Sequence, residues 1–246
     1  MAAAAFDNLA SRYDKSWTCS PVGMAQRMCV WRLLDGVLQS GDNILDLGCG
    51  TGSDAVHLMS RGVHVYAIDA SPNMVSIARS KDVNAHRLSI EHLQAVSGCF
   101  DGALSNFGAL NCLPTLEPTA QELARLIRPG GRLILCVLGA FCCWETLHFL
   151  RRAQFRKAFR RLSRRPSHTS IGMDVTYHRV RDLKAVFAKD FRLIRCLGVG
   201  VSMPPSYITE LPVGIIRALT TFDRMVEHWP VFRGIADHRL LLFERV

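Results

Sequence analysis

The stretch "DLGCGTG" (46–52) decides the fold of this chain. It follows an apolar run typical of a buried strand and precedes an amphipathic run that predicts a helix. Glycines at 48, 50 and 52 permit a tight turn in which backbone N–H groups come close to a ligand. The spacing is GxGxG, whereas dinucleotide binders have GxGxxG, and Asp46 lies inside the loop. A carboxylate at this place repels a pyrophosphate but suits a ligand that carries an ammonium group.

A second acidic residue, Asp69, ends the next predicted strand. A carboxylate at that position can accept hydrogen bonds from both hydroxyls of a ribose. The alternative is an ordinary glycine-rich connection between a strand and a helix, with Asp69 as a helix cap. The loop, its context between strand and helix, and Asp69 together favour ligand binding.

Short apolar runs alternate with amphipathic segments through most of the chain, which is typical of a parallel sheet covered by helices. We predict strands at 42–48, 63–70, 83–89, 100–107 and 132–139, with helices at 52–62, 71–81 and 115–131. Beyond them we predict one long helix at 140–165, a loop at 167–174, a helix at 180–190, a strand at 191–203, a helix at 213–229 and a final strand at 237–246.

Three stretches resemble the class I S-adenosylmethionine-dependent methyltransferases. They are "ILDLGCGTGSDAVHLMSRGVHVYAIDASPNMVSIAR" (44–79), "FDGALSNFGALNCL" (100–113) and "ELARLIRPGGRLIL" (122–135). The opening "FDNLASRYDKSW" (6–17) is similar to the N-terminal cap helix of the ubiquinone/menaquinone and malonyl-carrier methyltransferases. The resemblance implies an α/β fold, namely a Rossmann-like, seven-stranded, doubly wound sheet whose last strand is antiparallel, here "DHRLLLFERV" (237–246).

The resemblance also implies a cofactor, S-adenosylmethionine, with S-adenosylhomocysteine as the product. Carried over by position, the cofactor-binding residues are Asp46, Gly48, Cys49, Gly50, Gly52, Asp69, Ala70, Ser71, Met74, Ile90, Glu91, Asn106, Phe107 and Gly108. The loop glycines and Asp46 fall at the methionine end, and Asp69 falls at the ribose. Ser89 stands where the family often has an acid beside adenine, with Glu91 two positions on. Contact between this loop and the adenine amino group is therefore not implied, and Ile90 is expected to pack on the ring.

Catalytic residues are harder to predict, because methyl transfer from a sulfonium needs at most one general base. His178 is the first base candidate and His148 on the predicted long helix is the second, with a surface or structural histidine as the alternative for each. Tyr13 resembles the cap-helix tyrosine that closes over cofactor and substrate, with a core aromatic as the alternative. Tyr207 could contribute to a substrate pocket. No metal site is expected.

The formal net charge is +9, and most of it lies in "RRAQFRKAFRRLSRR" (151–165), which has no acidic residue. On a helical wheel, an aromatic stripe from Phe141 to Leu162 faces away from the arginines, among them Arg156 and Arg161. Three interpretations stay open for 141–165. They are a solvated lid helix, an amphipathic helix on an anionic membrane, and a surface for an acidic partner such as a carrier protein, coenzyme A or RNA.

We predict a single domain over 1–246. It comprises N-terminal cap helices (1–35), a cofactor-binding core (36–139), a basic lid helix and loop (140–174), and a C-terminal part of the sheet with an inserted helix (175–246). The predicted function is methyl transfer to a small lipophilic molecule, with O-methylation favoured. An RNA methyltransferase and a non-catalytic S-adenosylmethionine-binding module are the alternatives, although nucleic acid is not the favoured partner.

The expected location is the cytoplasm, with peripheral contact at the inner face of the membrane as an option. Nine cysteines without metal-ligand spacing indicate a reducing compartment. The N-terminal segment has no signal-peptide pattern, and no apolar run reaches the length of a membrane span. The sequence does not indicate an oligomeric state or the identity of the methyl acceptor.

Overall fold

The central sheet has seven strands, and its order confirms the predicted fold class. The computed structural model describes residues 2–163, 165–169, 172–205 and 211–246. The strands are β1 (Asn43–Leu47), β2 (His64–Asp69), β3 (Ala85–Arg87), β4 (Phe100–Ser105), β5 (Ile127–Leu138), β6 (Phe191–Val199) and β7 (His238–Arg245). Their order across the sheet is β3-β2-β1-β4-β5-β7-β6. The pairs from β3 to β5 are parallel, whereas β7 runs antiparallel to both β5 and β6.

Helices cover both faces of the sheet. They are α1 (Ala2–Tyr13), α2 (Pro21–Val37), α3 (Ser53–Ser60), α4 (Pro72–Arg79), α5 (Glu117–Leu126), α6 (Cys143–Arg151), α7 (Phe155–Ala158), α8 (Val180–Phe187), α9 (Val213–Val226) and α10 (Pro230–Ile235). A π-helical turn (Asp14–Thr18) links α1 to α2. Alternate residues of β1 enter opposite cores, since Ile44 packs with α2 and α3 while Leu45 packs with α5 and α8. This two-sided burial explains why the central strands are continuously apolar.

The connection between α5 and β5 differs from the prediction. The helix ends at Leu126, and β5 begins at Ile127, well before the predicted start at residue 132. Ile127 pairs with Phe100 of β4, and the register then shifts before Gly102 pairs with Arg132. Pairing with β4 therefore brings the Pro-Gly-Gly stretch, which we interpreted as a helix stop, into the irregular first half of the strand.

The prediction of one long helix at 140–165 is wrong. The chain breaks after α6 at Ala153, which has a positive φ of 54°, and continues as the short helix α7 and a 3₁₀ turn (Arg160–Leu162). The buried threonine Thr146 donates from Oγ1 to the carbonyl of Ala158 at 3.2 Å, so the segment folds back on α6. A two-stranded hairpin (Ser167–His168 with Asp174–Val175) stands where we predicted a loop.

The folding back changes which side chains of the basic segment are buried, although most of its described cations stay exposed as predicted. Arg161, expected in solvent, is 5% exposed, whereas Phe155, expected in the docked stripe, is 63% exposed. Arg161 Nη2 contacts Glu145 Oε2 at 2.7 Å and Asp237 Oδ1 at 2.8 Å. The ion pairs to α6 and to the start of β7 draw this arginine inward, and a helical wheel of one segment cannot anticipate them.

Candidate active site

A cavity of about 340 Å³ opens at the carboxyl edge of the parallel strands, where α/β sheets bind ligands. It is lined by Phe6, Tyr13, Gly48, Gly50, Asp69, Ala70, Met74, Ser89, Ile90, Glu91, Asn106, Phe107, Ala109, Cys112 and Leu113. The lining draws on α1, the loops after β1, β2, β3 and β4, and α4. The size lies in the usual range for a small-molecule site.

The glycine loop forms the floor of the cavity and needs its glycines. Gly48 has a φ of 73°, and a Cβ at this position would lie 2.4 Å from the Cβ of Ala109. Gly52 has a φ of 78° at the start of α3, and a Cβ there would lie 3.0 Å from Ala78 and Val83. Both positions therefore combine a left-handed backbone with close packing, which other residue types tolerate poorly.

Asp69 is held at the end of β2 by the loops on either side of it. Its Oδ2 accepts the N–H of Gly50 at 2.9 Å, and its Oδ1 accepts the N–H of Ser71 at 2.8 Å. Burial raises the pKa of this carboxyl, although the backbone hydrogen bonds lower it. Each oxygen has a further lone pair, so the fixed carboxylate can still accept a hydrogen bond from a ligand in the cavity.

Asp46 lies behind the cavity rather than in its wall. The side chain is buried, and its Oδ2 has no hydrogen-bond partner within the described part of the chain. Burial, together with the nearby carboxylates of Asp54 and Asp69, raises the pKa of Asp46 well above its usual range. An unpartnered buried carboxyl oxygen is costly, and a donor from a ligand at the methionine end would relieve that cost.

A buried polar cluster positions the loop after β4. Asp54 binds Arg27 Nη1 at 2.6 Å, Trp31 Nε1 at 2.7 Å and Asn106 Nδ2 at 2.9 Å. The Arg27 guanidinium also lies 5.0 Å from the ring centroid of Phe107, whose φ is 48°. A non-glycine residue with positive φ requires support from its surroundings, and this cluster supplies it where Phe107 enters the cavity.

The N-terminal helix covers the cavity and is fastened to the loops below it. Asp7 Oδ1 accepts a hydrogen bond from the hydroxyl of Ser71 at 2.7 Å and another from the N–H of Asn73 at 2.8 Å. Asp14 accepts a hydrogen bond from the hydroxyl of Thr51 at 2.6 Å and forms an ion pair with Lys81 Nζ at 2.7 Å. These contacts hold two aromatic side chains of α1, the ring of Phe6 and the phenol of Tyr13, over the cofactor loops.

The structure brings together most of the predicted cofactor residues. Gly48, Gly50, Asp69, Ala70, Met74, Ile90, Glu91, Asn106 and Phe107 line the cavity, together with Tyr13. Asp46, Cys49, Gly52, Ser71 and Gly108 are not in its wall. They shape the loops instead; for example, Ser71 caps α4 by accepting the N–H of Met74 at 3.1 Å.

The two histidines proposed as bases are not in the cavity wall. His178 Nε2 lies 3.2 Å from the carbonyl oxygen of Leu113, so this nitrogen donates to the backbone, and burial lowers the pKa of the ring. His148 lines a separate surface cleft with Trp144 and Arg151. The geometry favours a structural role for His178, and the assignment of either histidine as the base stays a prediction. Tyr207 lies outside the described residues.

Five lining residues were missing from the predicted set, namely Phe6, Ser89, Ala109, Cys112 and Leu113. Phe6 lies in the stretch that resembled a cap helix, and the spacing from Phe6 to Tyr13 places both on one side of a helix. Ala109, Cys112 and Leu113 belong to a 3₁₀ turn and its cap after β4. Nothing local in the sequence signals that this turn bends over the cavity.

The comparison with known families agrees with this geometry. Residues 45–135, which run from β1 to β5, match the family model described as a methyltransferase domain. The chain is similar to the class I S-adenosylmethionine-dependent methyltransferases, including the menaquinone type. The resemblance inferred from its sequence is thereby confirmed.

The curated relatives match this chain over little more than half of its length. The chain is 34% identical over 142 residues to a demethylmenaquinone methyltransferase from Clavibacter sepedonicus, covering 54% of this chain and 56% of that protein. It is 31% identical over 157 residues to the biotin biosynthesis bifunctional protein BioHC from Saccharophagus degradans, covering 61% of this chain and 26% of that one. The chain thus spans little more than half the length of the first relative.

The whole fold is shared more widely than the sequence. The CcbJ methyltransferase from Streptomyces caelestis superimposes with a TM-score of 0.63 at 14% identity, covering 98% of both chains. At this identity the likeness concerns the fold alone.

Proposed function

We propose that this chain binds S-adenosylmethionine in the cavity and transfers its methyl group to a small lipophilic acceptor, with O-methylation favoured. One observation carries the proposal. The glycine loop and Asp69 form a polar floor, and the same cavity is roofed by Phe6 and Tyr13 and walled by Leu113. A polar floor suits a nucleoside with an amino-acid tail, and an apolar roof suits a lipophilic acceptor.

The residues present fit the cofactor. Asp69 offers the ribose hydroxyls a carboxylate that two backbone N–H groups hold in place. The unpartnered Oδ2 of Asp46 suits the cofactor's ammonium group, reached directly or through water. Ile90, a buried side chain at the start of a 3₁₀ helix, offers an apolar surface to adenine. The methyltransferase-domain match supports the same cofactor.

The acceptor side of the cavity continues into a small apolar core. Met173, Val175 and Tyr177 are buried there and pack against Phe6 and Cys112, and the last two line the cavity. An acceptor with an extended apolar part could therefore contact side chains from α1 and from the lid hairpin. The demethylmenaquinone methyltransferase among the relatives supports an acceptor of this lipophilic kind.

The protein's work in this reaction is positioning and exclusion of water. When bound, the cofactor supplies a methyl group already activated by a sulfonium. Phe107 and Asn106 orient the groups beside it, and α1 closes the site from solvent. Burial raises the pKa of Tyr13 to about 12. Its phenol therefore stays protonated at neutral pH and can donate a hydrogen bond to the acceptor, but it is not a base there.

We further propose that residues 141–165 face an anionic membrane surface at the cytoplasmic side. Phe155, Phe159 and Leu162 are exposed beside the exposed cations Arg156 and Lys157. An RNA-binding surface is less favoured, because Arg161 is buried in ion pairs and one of the segment's cations is therefore unavailable to phosphate. All nine cysteines are free thiols, which supports a reducing compartment.

Calorimetric titration with S-adenosylmethionine tests the cofactor site. Asp69→Asn replaces one acceptor oxygen with an amide that faces a backbone donor, so we expect binding about 10- to 100-fold weaker. Asp182→Asn, an exposed aspartate on α8, is the matched control and should bind like the wild type. Equal affinity of both variants would remove the proposed cofactor site.

Release of S-adenosylhomocysteine tests the transfer step. The purified chain is incubated with S-adenosylmethionine and a panel of quinone-like phenols, and matched fatty amines and short polar alcohols serve as controls. We expect turnover with the lipophilic phenols. Turnover with the amines alone would overturn O-methylation, and cofactor binding without any turnover would favour a non-catalytic binding module.

A further inference from the structure

Helix α9 and the residues that follow it carry an apolar stripe that faces solvent. Ile215, Ala218, Phe222 and Met225 of α9 recur at helical spacing and fall within about 80° on a wheel of 100° per residue, and Trp229 follows as the N-cap of α10. All are exposed, with Met225 at 66% and Trp229 at 52%. Val231, at the start of α10, is 74% exposed. We call these six residues the α9–α10 face.

The aromatic residues of this face are held in place rather than loose. The ring of Phe222 lies 6.1 Å from that of Phe232, and the ring of Trp229 lies 5.9 Å from it, both edge-on. Phe232 is half-buried on a small core formed by Val201, Val226 and Ala236. The exposed rings therefore have fixed orientations before anything binds, which lowers the entropy cost of docking.

In the same segment the acidic side chains are buried, whereas the arginines of α9 are exposed. Both acidic residues between Val213 and Ile235 turn inward: Asp223 accepts the N–H groups of Val201 and Ser202, and Glu227 pairs with Arg32 at 2.6 Å. Arg217 and Arg224 are exposed and Arg233 is half-buried, so the full charges that this range presents to solvent are cationic. An apolar stripe with cations alone on the neighbouring exposed side of the helix complements an anionic, apolar surface.

The face lies at the functional edge of the sheet. Residues 200–237 connect the end of β6 to the start of β7, where Val199 pairs with His238. His238 also pairs with Leu138 at the end of β5, and its ring contacts Phe107 of the cavity at 5.3 Å. The insertion that carries the α9–α10 face therefore leaves the sheet at the edge that holds the cofactor loops.

We propose that the α9–α10 face docks the protein on a bilayer that contains anionic lipid. Trp229 suits the interface between headgroups and acyl chains, where aromatic rings with a polar edge concentrate, and Phe222 adds apolar surface beside it. The arginines add attraction to anionic headgroups. A second copy of the chain is a poorer occupant, because it would cover the stripe without using the cations beside it. Among the described residues no helix is long and apolar enough to cross a membrane.

Co-sedimentation with vesicles tests the proposal without any methyl transfer, and a loss confined to Met225→Glu assigns the binding to this face rather than to residues 141–165. The full chain is mixed with vesicles of phosphatidylcholine alone or of phosphatidylcholine with phosphatidylglycerol. Met225→Glu places a charge in the middle of the stripe, and we expect its partition onto the anionic vesicles to fall about tenfold or more. Met28→Glu makes the same change at a 48% exposed methionine on α2 and should bind like the wild type.

Two further readouts separate the sources of binding. Arg224→Gln should weaken binding to the phosphatidylglycerol vesicles about fivefold and flatten its salt dependence. Equal binding to both vesicle types, or equal loss in Met225→Glu and Met28→Glu, would overturn the proposal. So would a wild-type dimer in sedimentation velocity that Met225→Glu converts to monomer, because the face would then bind a second copy. Both methionines are exposed, and unchanged melting temperatures establish that the variants are folded.

Discussion

Replacing Arg161 with methionine should destabilise the protein far more than the same change at Arg156. Arg161 is 5% exposed and contacts Glu145 and Asp237, and its Nη1 also donates to the carbonyl of Asp237 at 3.0 Å. Arg161→Met leaves the buried carboxylate of Asp237 without this cation. Removing one partner of a buried ion pair costs about 3–5 kcal/mol of unfolding free energy, which lowers Tm by roughly 6–20 °C for a chain of this size.

The control lies on the same basic segment. Arg156 is exposed, so Arg156→Met should change stability by less than about 0.5 kcal/mol. Thermal melts followed by circular dichroism compare the two variants with the wild type at low and high salt. Since the pair is buried, salt should change the Arg161→Met deficit little.

Two outcomes distinguish a buried, ion-paired Arg161 from a solvated one. If Arg161→Met and Arg156→Met melt at the same temperature, the inward position of Arg161 is wrong and the solvated basic face expected from the sequence is right. Adding Asp237→Asn to Arg161→Met should recover part of the lost stability, because the second change removes the uncompensated charge. A further drop of full size in the double variant would place the effect outside the ion pair.

Two other predictions concern the site. Gly48→Ala should weaken binding of S-adenosylmethionine, because the new Cβ would lie 2.4 Å from that of Ala109 at a φ of 73°; adding Ala109→Gly should restore part of the affinity in calorimetry, and no restoration would contradict the steric cause. The second prediction concerns Asp14. Burial raises the pKa of this carboxyl, but hydrogen bonds from Lys81 and Thr51 outweigh burial and hold the pKa below its usual 3.8. This carboxylate therefore stabilises the docked N-terminal helix above the unfolded-state pKa, and the contribution is lost as the pH falls through the lowered value. Limited proteolysis of α1 against pH should show earlier cleavage in Asp14→Asn than in wild type at neutral pH, with the difference vanishing in acid; a constant difference would contradict the linkage.

The strands of the core could be predicted because each follows from a local pattern. Ile44 and Leu45 of β1 meet opposite cores, so a continuous apolar run was the correct sign of a strand covered on both faces. Gly48, Gly50 and Asp69 were found for a similar reason. A tight turn and the end of a strand are fixed by neighbours in sequence, and parallel strands carry their ends to a common edge.

The wall of the cavity was predicted only in part, with ten of its fifteen lining residues. Cys112 and Leu113 line it because the turn after β4 bends over the opening, and Phe6 reaches it because Asp7 fastens α1 to α4. Each of these contacts joins parts of the chain that are distant in sequence. Composition and spacing cannot indicate which of several loops will meet.

The sequence by itself determined the α/β class, the glycine loop with its acidic residue, and the seven strands, since these depend on periods of two and 3.6 residues and on turn chemistry. Only the tertiary structure decided which side of the basic segment is buried and which side of α9 is exposed. The wheel at 141–165 assumed one continuous helix, which the chain breaks at Ala153, and Glu145 and Asp237 determined that Arg161 points inward. Hydrophobic periodicity predicts that a helix has two faces, and the charges and cores brought to it by folding determine which face meets the solvent.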